Sequence, residues 1–169
     1  MGDNNGMKPK LPIKVKLNGG MMPTKATPFD AAYDLYVPED VPVIYGRQKI
    51  DLGIALEIPH GYAAIIQPRS GCSLKGIEGI GVDGVTPVRI DADVLVGLVD
   101  EKFRGNIGVI IDVHEKDFSD DIGGISWFSK GSRIAQMRIV EVPDTELIEV
   151  DELDMTNDRG GGFGHTGVK

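Results

Sequence analysis

Short apolar or alternating segments recur along the chain at close intervals. The segment IKVKL at 13–17 alternates between apolar and polar residues, which is the period of a half-buried β-strand. The later segments are rich in valine, isoleucine and tyrosine, and turn-forming residues separate most of them. No stretch keeps a helical period for three turns, so at most one helical turn is expected, after the segment PRSG. The predicted strands are 13–17, 33–37, 41–45, 54–58, 62–67, 94–99, 107–113, 133–140 and 146–150.

Strands at this spacing predict an all-β fold, either a sandwich or a barrel. Two long segments rich in glycine or aspartate, 75–93 and 112–129, interrupt the pattern, and we expect both to form extended hairpins or arms. Trp127 and Phe128 are expected to hold the second segment against the body of the domain. The predicted organisation is a disordered lead-in over 1–10, one β domain over 11–155 and a flexible glycine-rich arm over 156–169.

Composition and charge narrow the classes of function. The 169 residues carry a net charge of −8, which argues against a broad nucleic-acid surface because such a surface needs a basic face. No run of 18 apolar residues is present, so we expect no membrane-spanning helix, and the first ten residues lack the apolar core of a signal peptide. The single cysteine, Cys72, cannot form an internal disulfide. We therefore expect a protein of the reducing cytoplasm or nucleus rather than a secreted one.

The segment DRGGGFGHTG at 158–167 places one large apolar ring, Phe163, among glycines. Glycine loses more conformational entropy on ordering than any other residue, so we expect such a tail to order only where it binds something. Arg159 can hold an anion through two parallel hydrogen bonds, and Phe163 offers a face for stacking. A phosphate-binding P-loop is excluded because no Lys–Ser or Lys–Thr pair follows Gly167. The alternative is a frayed tail without a role.

Two internal clusters contain side chains suited to anion binding or to acid–base chemistry. In the segment QPRSG, the backbone amides around Ser70 and Gly71 can form an anion nest beside Arg69, although an ordinary turn fits the same residues. In the segment GLVDEKFRGN, Asp100 follows an apolar strand and can act as a general base. The alternative for Asp100 is an exposed carboxylate on a surface hairpin.

Two strand residues also stand out by their chemistry. Gln136 in the segment KGSRIAQ can donate its amide to an anion, or it can pair with a neighbouring strand residue. Asp34 lies among apolar residues, and a half-buried aspartate needs a partner, which is usually an arginine or a backbone N–H. The three histidines and Cys72 show no metal-ligand spacing. The residues alone therefore predict neither a protein-held metal nor a Ser–His–Asp or Cys–His nucleophile.

In their order along the chain, these clusters resemble the five motifs of the trimeric dUTPases, the deoxyuridine triphosphate nucleotidohydrolases. The motifs are AAYDLY, QPRSG, GLVDEKFRGNIGV, KGSRIAQM and RGGGFGHTG, and the resemblance runs from about residue 22 to the C-terminus. It implies a jelly-roll-like antiparallel β fold and a homotrimer that exchanges its C-terminal arms. It also implies active sites shared among the three subunits. The two long segments suggest a virus or phage type with inserts.

The resemblance further implies a reaction and a role for each motif. dUTP would be hydrolysed to dUMP and pyrophosphate, which limits uracil in DNA, and Asp100 would deprotonate the water that attacks the α-phosphorus. Mg²⁺ would be held by triphosphate oxygens and water, and Asp34 would contact those waters rather than the metal. The segment VLVGLV would form a hairpin that reads uracil through its backbone. The residues implied in substrate binding are Arg69, Ser70, Gly71 and Gln136 for the phosphates, Gly97 and Val99 for uracil, Phe103 for the sugar, and Arg159, Phe163 and Gly164 in the final arm.

The chain departs from the family pattern at several positions. Phe103 stands where the family usually has tyrosine, so the ring can crowd out a ribose 2′-hydroxyl but lacks the phenolic hydrogen bond. Ser132 replaces the usual aspartate of the fourth motif, and Val94 or a neighbour replaces an asparagine that often helps to hold the base. The final motif is one residue short between Arg159 and Phe163.

The sequence leaves two other functions open. The related dCTP deaminases share the fold but need a glutamate on the strand after the third motif, where this chain has Ile110. An apolar residue cannot transfer protons at cytosine. The second alternative is a dUTPase-like regulatory protein that binds a partner protein through its inserts.

Overall fold

The computed structural model describes residues 10–114, 126–156 and 158. These residues form short β-strands joined by turns, with a single helical turn where the sequence predicts one. No helix in these ranges is long and apolar enough to cross a membrane. The elements are β1 (Lys14–Leu17), β2 (Tyr33–Tyr36), β3 (Val41–Pro42), β4 (Gly46–Glu57), β5 (Tyr62–Gln67), α1 (Ser70–Lys75), β6 (Ile77–Ile80), β7 (Pro87–Ile90), β8 (Ala92–Val94), β9 (Gly97–Val99), β10 (Asn106–Val113), β11 (Trp127–Phe128) and β12 (Arg133–Glu141).

The strands are arranged in three four-stranded antiparallel sheets, which confirms the predicted all-β fold. The first sheet has the order β1-β4-β10-β8, the second β3-β11-β6-β7 and the third β2-β12-β5-β9. The central pairings of the first and third sheets join strands that are distant in sequence, because β4 pairs with β10 and β5 pairs with β12. Long-range pairing of this kind brings separate motifs side by side.

The core is made of apolar side chains that alternate with exposed ones along the strands. In β10, Ile107, Val109 and Ile111 are almost fully buried, whereas Ile110 between them is exposed. This period of two matches the predicted strand 107–113. Phe128 of β11 is completely buried, so it anchors its segment to the core as expected, while its neighbour Trp127 keeps about a third of its surface exposed (36%).

Two of the predicted strands are wrong. The segment 94–99 is not one strand or a hairpin: β8 pairs with β10 in the first sheet and β9 pairs with β5 in the third, so the segment crosses between sheets. The segment 146–150 is exposed and forms no strand within the described residues, and Leu147 is 99% exposed. An alternating segment becomes a strand only when a sheet edge pairs with its backbone, and nothing in the described part of the chain does so here.

Other boundaries are shifted rather than overturned, and the strand predicted at 41–45 is shortened to the two residues of β3. The strand predicted at 54–58 begins eight residues earlier as β4, and the helical turn predicted after PRSG is α1. The first long segment, 75–93, contains the hairpin of β6 and β7, as expected. Most of the second, 115–125 within 112–129, lies outside the described residues, as do residues 1–9 of the predicted lead-in.

Candidate functional site

Three motif residues lie in one row across the third sheet. Asp34 of β2 is the direct cross-strand partner of Gln136 of β12, and Gln136 is in turn the partner of Gln67 at the end of β5. Direct partners in an antiparallel sheet project from the same face, so the three polar side chains are neighbours. The buried residues Leu35 and Ala135, one position along, occupy the opposite, core face.

Arg69 completes this row two residues beyond Gln67. Its Nε donates a hydrogen bond to Asp34 Oδ1 at 2.7 Å, and the two side chains are only 22% and 16% exposed. Burial disfavours the charged guanidinium, but the hydrogen bond and the charge of Asp34 outweigh it, so the pKa of Arg69 is raised. The half-buried aspartate thus has a partner, as expected, and the partner is an arginine rather than a backbone N–H.

The remaining phosphate-motif residues surround Arg69. Ser70 and Gly71 form the first turn of α1, and Arg69 precedes it in an extended conformation. No side chain among the described residues caps this helix start, so its first N–H groups keep their donor capacity. Gln136 donates one amide hydrogen to the carbonyl of Pro68 at 2.9 Å, which leaves its second N–H for another acceptor.

Arg133 belongs to this cluster, although sequence reasoning did not assign it. Its Nη1 lies 3.5 Å from Asp34 Oδ2, so one carboxylate contacts two arginines. Simple alternation places Arg133 and Gln136 on opposite faces of β12. A bulge between Arg133 and Ala135 adds one residue, and Arg133 then pairs with Tyr36 on the Asp34 face. The bulge leaves no signature in the sequence.

The turn before Arg133 contains Ser132, the serine that replaces the usual aspartate of the fourth motif. The Ser132 hydroxyl donates to the carbonyl of Ser129 at 2.7 Å, and the Ser132 N–H donates to the same oxygen at 3.0 Å. Ser132 is buried, with 8% exposure. The serine therefore closes the turn that leads into β12 without an aspartate.

A second group of predicted residues lies on and after β9. Gly97 pairs with Ile66 and Val99 with Ala64, and among the described residues β9 is the edge strand of its sheet. Asp100 follows at the strand end and is exposed, and Phe103 is 46% exposed. The Phe103 N–H donates to the carbonyl of Asp100 at 3.1 Å, so the two residues share one tight turn.

Glu101 anchors this turn to the start of β5. Its Oε2 accepts a hydrogen bond from the Gly61 N–H at 2.8 Å and lies 3.0 Å from His60 Nδ1. The hydrogen bond with His60 and then that with Gly61 lower the pKa of Glu101. Asp100 and Glu101 border an open groove of about 540 Å³. Sequence reasoning did not assign Glu101, because its partner is 40 residues away.

Gly97 lies beside Ile66 near the Arg69 cluster, but Asp100 lies at the other end of β5. Extending the register of β5 and β9 by one pair places Asp100 beside Ala63, six residues before Arg69. At about 3.3 Å per residue, the distance from Asp100 to Arg69 along β5 is about 20 Å. A single chain therefore does not bring Asp100 together with the Arg69 cluster.

The remaining predicted site residues, Arg159, Phe163 and Gly164, lie outside the described residues. Within the described part of the chain, no group of three or more His, Cys, Asp or Glu side chains is placed to hold a metal ion.

A family model described as dUTPase matches residues 19–167 of the chain. A deoxyuridine 5′-triphosphate nucleotidohydrolase of Hydrogenobaculum sp. (strain Y04AAS1) is 38% identical over 163 residues, covering 95% of this chain and 99% of that protein. The protein of the same name from Variola virus is 35% identical over 153 residues, covering 90% of this chain and 89% of its own.

Solved structures of dUTPases are also similar to this chain. The dUTPase of Staphylococcus bacteriophage 80alpha with dUpNHpp has a TM-score of 0.74 and 29% identity, covering 93% of this chain and 99% of its own. The dUTPase of phage phi11 of S. aureus, in which a species-specific insert is visualised, has a TM-score of 0.66 and 26% identity, covering 85% and 98%.

Proposed function

The chain belongs to the dUTPase family, and from this premise we propose that it hydrolyses dUTP to dUMP and pyrophosphate. The observation that carries the proposal is the ion pair of Arg69 and Asp34, 2.7 Å long, beside Gln136 at the end of β5. It assembles three of the family's motifs into one half-buried cluster that can receive a polyphosphate. The net charge of −8 makes such local placement of cations necessary.

Asp100 is the residue proposed to activate the attacking water. Its exposed carboxylate stands at a strand end, where it can accept a proton from water. As the water oxygen bonds to the α-phosphorus, its proton passes to Asp100. The bond from that phosphorus to the bridging oxygen breaks, and pyrophosphate leaves. The hydrogen bond from Gly61 to Glu101 fixes the backbone of the turn that carries Asp100.

The cluster at the end of β5 is proposed to bind the phosphate chain. Arg69 supplies a fixed positive charge, and the N–H groups of Ser70 and Gly71 and the free amide hydrogen of Gln136 supply donors. Mg²⁺, when bound to the triphosphate oxygens, neutralises charge that develops on the leaving pyrophosphate. Asp34 retains lone pairs beyond its two arginine contacts and can accept hydrogen bonds from the waters of that ion.

Uracil and deoxyribose are assigned to β9 and the turn after it. Because Gly97 and Val99 lie on an edge strand, backbone groups turned away from β5 are free to pair with a base. A base with the wrong donor pattern would leave those groups unpaired, which discriminates strongly against cytosine. Phe103 is proposed to exclude the ribose 2′-hydroxyl, and Phe163 to stack on the base. Arg159 and Gly164 complete the substrate contacts.

The separation of about 20 Å between Asp100 and Arg69 supports a homotrimer with shared sites. The segment 146–155 supports it further, because its large apolar side chains are exposed, with Leu147 at 99% and Leu153 at 76%. Exposed apolar side chains that lie close together mark a protein–protein interface. The segment 146–155 is thus proposed to pack against another subunit.

A second candidate function is regulation through a partner protein. The hairpin of β6 and β7 carries Val82 and Val85 near its tip, with 44% and 76% exposure. Neighbouring phage 80alpha dUTPases are described as controlling the transfer of virulence genes. Comparing protein capture by the intact chain and by a chain lacking the hairpin tip tests this role.

We also propose that the protein works in a reducing compartment, either the cytoplasm or the nucleus. The proposal rests on its single cysteine, Cys72, which is buried and free.

The decisive test is pyrophosphate release from a panel of dNTPs and UTP in the presence of Mg²⁺. Selective cleavage of dUTP is the expected result, and equal cleavage of dTTP or UTP contradicts the assigned base and sugar contacts. Ammonia release from dCTP would instead indicate a deaminase. That outcome is not expected, because Ile110, exposed on β10, stands at the position where the deaminases need a glutamate.

A further inference from the structure

Gly105 lies directly under the ring of Phe103, two residues after it. A Cβ atom built on Gly105 would stand 2.8 Å from Phe103 Cζ, 3.3 Å from Cε2 and 3.5 Å from Cε1. Its φ is not in the left-handed region, so the backbone itself accepts an alanine. The ring is therefore what a side chain at 105 would meet.

We propose that Gly105 is a positioning residue for Phe103 and that, through this ring, it sets the discrimination between deoxyribose and ribose. The inference rests on the proposed function, in which Phe103 excludes the 2′-hydroxyl. A hydrogen atom in place of a side chain lets the ring lie against the Gly105 backbone. Contact at less than 3 Å cannot be relieved without moving one of the two groups.

The backbone around the ring is held more firmly than the ring. The turn is closed by the hydrogen bond from the Phe103 N–H to Asp100, and the Arg104 guanidinium donates to the carbonyls of Glu101 and, at 3.0 Å, Phe103. By contrast, the Phe103 side chain has solvent beside it, since the residue is 46% exposed. A methyl group at 105 would thus rotate the ring away while the turn stays in place.

Moving the ring has a defined consequence for selectivity. The space that Phe103 leaves becomes available to a ribose 2′-hydroxyl, so kcat/KM for UTP rises relative to that for dUTP. Small steric differences in a binding pocket change selectivity by about 10- to 200-fold. We expect Gly105→Ala to reduce the ratio of kcat/KM for dUTP over UTP by about tenfold.

The test is a double-mutant comparison of the full chain, Gly105→Ala, Phe103→Ala and the double variant, each assayed with dUTP and UTP. Phe103→Ala alone should lose the discrimination, and adding Gly105→Ala should change the ratio no further, because the ring is already absent. Gly81→Ala is the matched control. Gly81 also has no left-handed φ, and it lies outside the site. Its Cβ would meet Val88 Cγ1 at 3.3 Å, Thr86 O at 3.4 Å and Asp83 Oδ1 at 3.6 Å, none of them closer than 3 Å.

An unchanged dUTP:UTP ratio in folded Gly105→Ala overturns the inference, as does a further loss of selectivity in the double variant. If Gly105→Ala does not fold, Phe103→Ala should restore folding by removing the obstacle, and failure of that rescue also overturns it. Absence of dUTP hydrolysis by the unaltered chain is a different result. It contradicts the proposed function itself, so the two failures are distinguishable.

Discussion

Removing the charge of Asp34 tests the architecture of the phosphate cluster most directly. The carboxylate contacts Arg69 at 2.7 Å, and neither side chain is more than 22% exposed. The raised pKa of Arg69 keeps its guanidinium charged at any ordinary pH. Asp34→Asn preserves the shape and one acceptor oxygen but leaves a largely buried cation without its counter-charge.

The loss of stability expected for Asp34→Asn follows from the burial and the geometry of the pair. A hydrogen bond to a charged group contributes about 1.5–3 kcal/mol, and breaking a fully buried pair costs about 3–5 kcal/mol. Because both groups keep some contact with solvent, we expect a loss of about 2 kcal/mol in the free energy of unfolding. At about 2–4 °C per kcal/mol for a chain of this size, Tm should fall by about 4–8 °C.

The assay is a double-mutant cycle by urea unfolding with Asp34→Asn, Arg69→Met and both changes. Protein concentration must be fixed, because assembly adds to apparent stability. The matched control is the exposed pair of Glu78 and Arg89, 3.0 Å apart and about half exposed. Its coupling should not exceed about 1 kcal/mol. A coupling below about 0.5 kcal/mol for Asp34 and Arg69, or one no larger than the control, refutes the reasoning.

Four further outcomes are expected. Asp100→Asn should bind dUpNHpp nearly as well as the unaltered chain but lose turnover by orders of magnitude, since the water loses its base; near-normal turnover would refute the role. Deleting 159–169 should abolish most activity and leave a folded trimer by light scattering, whereas failure to fold would make the segment structural. Phe103→Tyr should leave kcat/KM for dUTP unchanged or modestly raised, and a severe loss would mean that the sugar pocket is misplaced. The hydrogen bond to Asp93 raises the pKa of His114, so this pair stabilises the fold below about pH 6.5 and loses that contribution as pH rises through the raised pKa. The free energy of unfolding measured across about pH 5–9 should show this loss, and Asp93→Asn should remove this pH dependence.

The sequence alone was enough to predict the all-β class of fold and the family. Alternation along 107–113 reappears as the buried and exposed faces of β10, because the period of two is a local property of an extended backbone. Asp34 could be expected to need a partner, either an arginine or a backbone N–H, since burying a lone carboxylate is costly. The order of the five motifs indicated the family before any geometry was available.

The tertiary structure decided how these pieces meet. The segment 94–99 divides between two sheets, the bulge in β12 turns Arg133 toward Asp34, and Gly105 supports the ring of Phe103. The segment 146–150 has the pattern of a strand but no partner within the described part of the chain. Each of these depends on which strands pair and in which register. Long-range pairing sets that register, and a local pattern records only which faces are apolar.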